Sequence, residues 1–389
     1  MSGVCFWMKR REWLLGCAAG ASSLAFGWPR RANACGSAID FDEEEVLELA
    51  SGASEPAREL AHFFVQGTNS TADHRFSISP AGDFLCFADR GAGEFRIEGA
   101  GGETHHLPAP EGGSANFRAD GRAIVLQLWT GSPYDQILVA NPRTGESERW
   151  GDFLDAEPFV FAPGGLVVAH GRAGSAGALS WVTSAERTTE LVRTPEVPKQ
   201  IAVDGSRVAY FVGDTAFAVE LAESSRAPQS LGRLSKPAIG SIWNAAGLVA
   251  TNADGAWLMR SGHAPRLLLE EANPRAALAH RGTIALGSER RVWFSQGGGF
   301  RAVDAPHANF HFTGPIAGTD DFILCRGPSA FRYDVKTGQL ERLGSGRPGM
   351  KLRGAALFGK RLLTWSSRTW ATTDAGCSAS PPPRSFVVN

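Results

Sequence analysis

Eight glycines, each opening a strongly apolar run, constrain the fold of this 389-residue chain more than any other feature. They are Gly82 (AGDFLCFA), Gly121 (DGRAIVLQL), Gly164 (PGGLVVAH), Gly205 (DGSRVAYFV), Gly247 (AGLVAT), Gly282 (RGTIALG), Gly318 (GTDDFILC) and Gly359 (GKRLLTW). Successive intervals are 39, 43, 41, 42, 35, 36 and 41 residues. A short apolar segment precedes each glycine and two weaker ones follow each apolar run, so every unit supplies four strands. Four short strands repeating at this period predict an all-β β-propeller built from four-stranded antiparallel blades. Unrelated strands of a sandwich would not keep such a beat. Eight signals predict eight blades; seven, with one unit degenerate, is the alternative count.

The segment 75–98, RFSISPAGDFLCFADRGAGEFRIE, shows the unit most plainly as strand, tight turn, strand, loop, strand. The chain is 43% hydrophobic and 20% charged, with 46 glycines, 23 Phe and 11 Trp, which fits a large all-β core with many turns. Its net charge of −1 supplies no basic field for nucleic acid, so no nucleic-acid partner is expected.

The last unit, 352–374, offers only three strand candidates: GAALFG, RLLTWS and TWATT. The segment 59–66 (ELAHFFVQ) is expected to supply the missing outer strand and close the ring, which would remove an exposed sheet edge. The acidic run 39–50 (IDFDEEEVLELA) reads as a mobile leader or a short surface helix. The expected organisation is therefore a targeting segment over 1–34, an acidic leader over 35–58, the propeller over 59–376 and a Pro-rich tail over 377–389.

Residues 9–15 (KRREWLL) place basic residues before an apolar stretch, 16–28, that is too short to span a bilayer comfortably. Arg30-Arg31 and the A-x-A signal Ala32-Asn33-Ala34 follow. This segment resembles a twin-arginine signal peptide; a general secretory signal or an uncut anchor is the alternative. Cys35, directly after Ala34, raises a lipoprotein, although that motif wants Leu or a similar residue where Ala32 stands. The resemblance implies a bacterial periplasmic or secreted protein with no membrane span in the mature chain, expected to be a monomer. The mature chain keeps Cys35, Cys86, Cys325 and Cys377. Cys86 and Cys325 fall in second strands of distant units and read as small buried hydrophobes. Cys35 and Cys377 flank the folded region, and ring closure would bring them near a disulfide.

Two turns carry a family likeness: 138–150 (LVANPRTGESERW) and 332–343 (RYDVKTGQLERL) both read strand, D/N-x-x-T-G-x, strand. They resemble the repeats of pyrroloquinoline-quinone-like propellers. The phrase SPAGDFLCFAD at 79–89 looks like the repeats of exported TolB-like propellers, and the four-strand unit is of the WD40-like kind. The likeness implies a propeller and says little of function. Enzymes of the first family use a carboxylate and amide set for Ca²⁺ and a ring-stacking Trp, and neither set can be assembled from this sequence.

Candidate chemistry is sparse. His105 and His106 are adjacent, so on a strand they point to opposite faces. His307 and His311 would be roughly 13 Å apart on a strand at ~3.3 Å per residue, too far for one metal. Asp320 and Asp321 fall in a turn within a unit. No nucleophile elbow, zinc-protease helix or phosphate loop occurs, and no cofactor or metal is expected. What remains is the loop after each second strand, which in a propeller opens on the same face as the connections between blades. Those loops carry Arg90, Arg172, Arg290, Arg291, Arg326 and Arg368, beside Trp129, Tyr134 and His170. A guanidinium is a planar, permanently charged donor fork, so such a ring would bind carboxylate or sulfate groups. The expected function is that of an exported non-catalytic propeller binding an anionic small molecule, a polysaccharide or an acidic protein surface. The alternative is a periplasmic lyase or hydrolase with its site at the channel mouth.

Overall fold

The structure is a computed structural model. It describes residues 40–50, 56–66 and 76–371, except 90–91, 110–112, 119, 131, 157, 173, 222–226, 245, 272–273, 275, 289–290, 297–298, 304–310 and 348. The signal segment, Cys35, the Pro-rich tail, Cys377, His307, Arg90 and Arg290 lie outside the described residues.

The chain is an all-β propeller. Seven blades, each an antiparallel sheet of four consecutive strands, follow one another from Phe76 to Ser345. This is the count given above as the alternative to eight. The first strands of successive blades pack side by side around the axis, and the fourth strands lie outermost. All eight marker glycines sit in or beside the turn between first and second strands, each with positive φ, from 56° at Gly205 to 137° at Gly247. At Gly82 a Cβ would also come within 2.7 Å of the Leu357 carbonyl oxygen, so bare backbone is required twice over.

An eighth four-stranded sheet is composite. Its strand order is Pro56–Gln66, Asp40–Ala50, Arg361–Ala371, Lys351–Phe358, so two strands come from each end of the described chain. This differs from expectation in two ways. RLLTWS and TWATT do not form separate strands: no turn residue interrupts them, and Arg361–Ala371 is one continuous strand. Arg368 therefore lies within a strand, in register with Glu43, and not on a loop. The supposed acidic leader supplies the strand next to it: Asp40–Ala50 pairs with Arg361–Ala371 over its whole length, and 59–66 belongs to the strand outside it. An acidic run becomes a strand here because a partner some 300 residues away in sequence offers a complete ladder of backbone groups.

Packing between neighbouring sheets forms the core. Phe84, Cys86, Phe95 and Ile97 of the first blade meet Ala115, Ile124 and Leu126 of the second, and equivalent clusters recur between later blades. The composite sheet is gripped on both sides. Leu49, Leu352, Ala355 and Leu362 pack on Ile316, Ile323 and Cys325 of the seventh blade, while Phe358 and Leu363 pack on Leu85 and Phe87 of the first. Cys86 and Cys325 are free thiols at 0% exposure, as expected of small hydrophobes, and burial pushes the Cys86 thiol far up.

Candidate functional site

Backbone hydrogen bonds define the loop face. In blade after blade, the connection leaving the sheet donates to the hairpin between its second and third strands: Ala109 N to Gly93 O (2.8 Å), Asp155 N to Pro133 O (3.1 Å), Leu234 N to Asp214 O (2.9 Å) and Leu352 N to Gly327 O (2.8 Å). These hairpins and connections therefore share one face. The opposite face carries the remaining turns, which are tied to one another by Ala100 N to Asp83 O and Leu221 N to Ser206 O, both 2.8 Å.

On the loop face, four of the residues singled out from sequence lie on the adjacent second and third blades. Trp129 and Tyr134 bracket the second blade's hairpin; His170 and Arg172 stand at the end of the third blade's second strand, Gly165–Gly171. The connection between the blades joins these places, because Asp155 N donates to Pro133 O and Ala169 N donates to Pro158 O (2.9 Å). Tyr134 is half exposed, at 50%, and Arg172 is exposed, whereas Trp129 is half-buried. Thr130 Oγ1 donates to Tyr134 O (2.7 Å), which fixes the hairpin that carries the ring.

Beneath them lies a buried polar chain. Ser114 Oγ donates to Gln127 Oε1 (2.9 Å), and Gln127 Nε2 donates to Asp135 Oδ2 (3.0 Å) and to Ala156 O (2.8 Å). Ala156 N completes it by donating to Asp135 Oδ2 (3.2 Å). Satisfied networks of this kind hold a site in one conformation. His170 Nε2 lies 2.9 Å from Ser180 Oγ, and its ring packs on Phe153 with centroids 5.2 Å apart. Burial lowers its pKa, opposed by the nearby Glu190. Ser180 is only 3% exposed, so the pair is interior support and no exposed nucleophile. Nothing in the sequence marked Ser114, Gln127 or Asp135, since polar residues on strands read as solvated.

The remaining loop arginines do not form a uniform ring. Arg326 is exposed at the end of its strand, and Arg291 Nη1 lies 3.6 Å from Glu271 Oε2. The hairpins of the fourth and fifth blades present acids instead. Arg233 beside Asp214 (2.9 Å) and Lys236 beside Asp254 (2.5 Å) hold both carboxyls below their usual range. These ion pairs lie on the fourth and fifth blades, whereas Trp129, Tyr134 and Arg172 belong to the second and third.

The two T-G turns lie on the opposite face and are structural. Asn141 Oδ1 accepts from Arg143 N (2.9 Å), and Asp334 Oδ1 accepts from Lys336 N (2.8 Å). Gly145 N and Gly338 N then donate to Asn141 O (2.9 Å) and Asp334 O (2.8 Å), with glycine φ of 72° and 75°. The residue before each Thr reaches a first-to-second-strand turn: Arg143 to Asp83 (3.1 Å), Lys336 to Asp320 (2.8 Å). His105 and His106 are split between separate partners, Arg143 O (3.0 Å) and Glu94 Oε1 (2.6 Å). Two shallow depressions of about 280 and 390 Å³ are lined by residues such as Asn141 and Glu146, and Arg207 and Glu220, and not by Trp129, Tyr134 or Arg172. Among the described residues, no three His, Cys, Asp or Glu side chains are grouped to hold a metal ion, and no helix is long and apolar enough to cross a membrane.

Fold and loop face together define a β-propeller protein. No protein-family model matches the sequence, and no curated protein matches it. Among solved structures, the computationally designed Ika8 protein is 11% identical, with the match covering 77% of this chain and 96% of Ika8 at a TM-score of 0.52. AztD of Citrobacter koseri is 11% identical over 87% of this chain and 99% of its own, with a TM-score of 0.50. A catalytically inactive virginiamycin B lyase from Staphylococcus aureus, 11% identical over 83% and 99%, gives 0.41. At such identities the likeness to Ika8 and AztD concerns the fold alone.

Proposed function

We propose that the protein is an exported, non-catalytic propeller that binds an anionic ligand on its loop face. The composite sheet serves as an eighth blade closing the ring. The ligand is an anionic small molecule, a polysaccharide or an acidic protein surface, taken at the corner between the second and third blades. What supports this reading is that exposed Tyr134 and exposed Arg172 stand on the loop face of adjacent blades, whose hydrogen-bonded connection runs above a buried polar chain. An aromatic face supplies stacking area, and the guanidinium supplies paired donors to a carboxylate or sulfate. Arg326 extends the positive charge across the face. Export rests on the Arg10-Arg11 segment and the A-x-A signal, and it puts such a face in contact with envelope or extracellular anions. The test is calorimetric titration of the protein with polygalacturonate and, separately, with inorganic sulfate. Saturable binding that Arg172→Ala weakens supports the reading, whereas no heat with either probe overturns it.

A further inference from the structure

Eight strands stand innermost around the axis: the first strand of each blade, and Lys351–Phe358 of the composite sheet. They read FSI, GSANF, FVFA, KQIAVD, GSIWN, AALAH, HFTGP and KLRGAALF. Their only Lys, Arg, Asp and Glu residues are Lys199, Asp204, Lys351 and Arg353. The three bases occupy the ends that enter from the loop face, and the acid stands at the far end, beside the Gly205 turn. Leu352 N, between two of the bases, donates to Gly327 O (2.8 Å), one of the bonds that define the loop face. All three bases are exposed, and neither lysine has an acidic partner among the described residues.

The packing order sets these bases across the axis from one another. Core clusters join the blades in succession, and the composite sheet packs between the seventh and the first. Lys199, on the fourth blade, is therefore four sheets away from Lys351 and Arg353 in either direction. The backbone is irregular at the same two places. Three of the innermost strands slip in register against their neighbours, and two of the slips lie between Lys199 and Ala202 and between Leu352 and Gly354. Bulges of this kind re-aim side chains. Gln200, inside the first, has a φ of 53°, a left-handed conformation that costs a non-glycine residue free energy. The fifth blade braces it there, since Ser241 Oγ donates to Gln200 O (2.8 Å).

We propose that the loop-face mouth of the central channel is an anion site, with Lys199 on one side and Lys351 and Arg353 on the other. Its ligand is a compact polyanion with two linked oxyanion groups, the chemistry of a pyrophosphate. This goes beyond the ligand site proposed on the second and third blades and shares no residue with it. Bases of one sign around a concave rim raise the local concentration of anions. A single carboxylate or sulfate carries charge for one side only. Two linked groups meet both sides, and once the first is bound the second contact is intramolecular, which raises affinity. The lysines act as point charges, and the Arg353 guanidinium adds a planar fork for two oxygens of one group.

The test is calorimetric titration of the full chain with sodium pyrophosphate and, separately, with orthophosphate, at about 0.05 M NaCl to limit screening. Pyrophosphate should bind saturably and at least about tenfold more tightly than orthophosphate. Lys199→Gln and Lys351→Gln, both at exposed positions, should each weaken pyrophosphate binding about tenfold with an unchanged thermal midpoint. Arg172→Ala should leave pyrophosphate binding as it is, so that failure here and failure of the site on the second and third blades are told apart. The proposal is overturned if pyrophosphate gives no saturable heat up to about 1 mM. Equal affinity for the two anions also overturns it, as does weakening by only one of the two lysine variants, or loss of binding in Arg172→Ala.

Discussion

Asp40 and Ala371 are register partners at the end of the antiparallel ladder that joins the two ends of the described chain. Cys35 is five residues before Asp40, and Cys377 is six residues after Ala371. Both cysteines lie outside the described residues, beyond the two chain ends that this ladder brings together. The protein purified from an oxidising compartment is therefore expected to carry a Cys35–Cys377 disulfide, closing almost the whole chain into a loop. Cys35→Ser should lower stability by about 2–5 kcal/mol under oxidising conditions and by nothing under reducing ones. Peptide mapping without reduction checks the bond; free thiols at both positions contradict it.

A second expectation concerns Gly145. Its φ is 72°, and a Cβ there would lie 2.7 Å from the His105 ring. Gly145→Ala should destabilise by about 1–3 kcal/mol, through left-handed strain and displacement of His105 from Arg143 O. Urea denaturation measures it, and an unchanged midpoint would mean that this turn does not hold the first blade to the second.

His170 gives a pH dependence with a defined sign. Burial holds its folded pKa below the ordinary 6.5, so the folded state favours the neutral ring. The unfolded chain takes up the proton first as pH falls through 6.5. The contribution is thus complete above 6.5 and is lost as pH falls from 6.5 to the lower folded pKa. Unfolding midpoints measured between about pH 7.5 and pH 5 should fall with acidity, and His170→Asn should flatten that fall. Identical slopes for the two proteins would contradict the assignment.

Much of this fold is legible in the sequence, because a turn that needs positive φ leaves a glycine behind. All eight marker glycines have that geometry, and the Asn141 and Asp334 caps were legible as T-G turns. Misread were features decided by partners far away in sequence. Asp40–Ala50 has polar residues at six of eleven positions and no local reason to be a strand; its strand is imposed by Arg361–Ala371. The site was half legible. Trp129, Tyr134, His170 and Arg172 were visible as residue types, but the connection through Asp155 and Pro158 that ties their two blades together was not. The pairing of Arg291 with Glu271, which takes that arginine out of the proposed ring, crosses two blades and leaves no sequence signature.

The most direct test of the anion-binding account is the polygalacturonate titration, comparing the protein with its Arg172→Ala/Arg326→Ala variant at fixed ionic strength. Each exposed guanidinium that meets a carboxylate contributes about 1.5–3 kcal/mol through charged hydrogen bonds, so the double variant should bind at least about tenfold more weakly. Its thermal midpoint should be unchanged, since neither side chain is buried. Equal affinity in the two proteins, with the fold intact, would contradict the account.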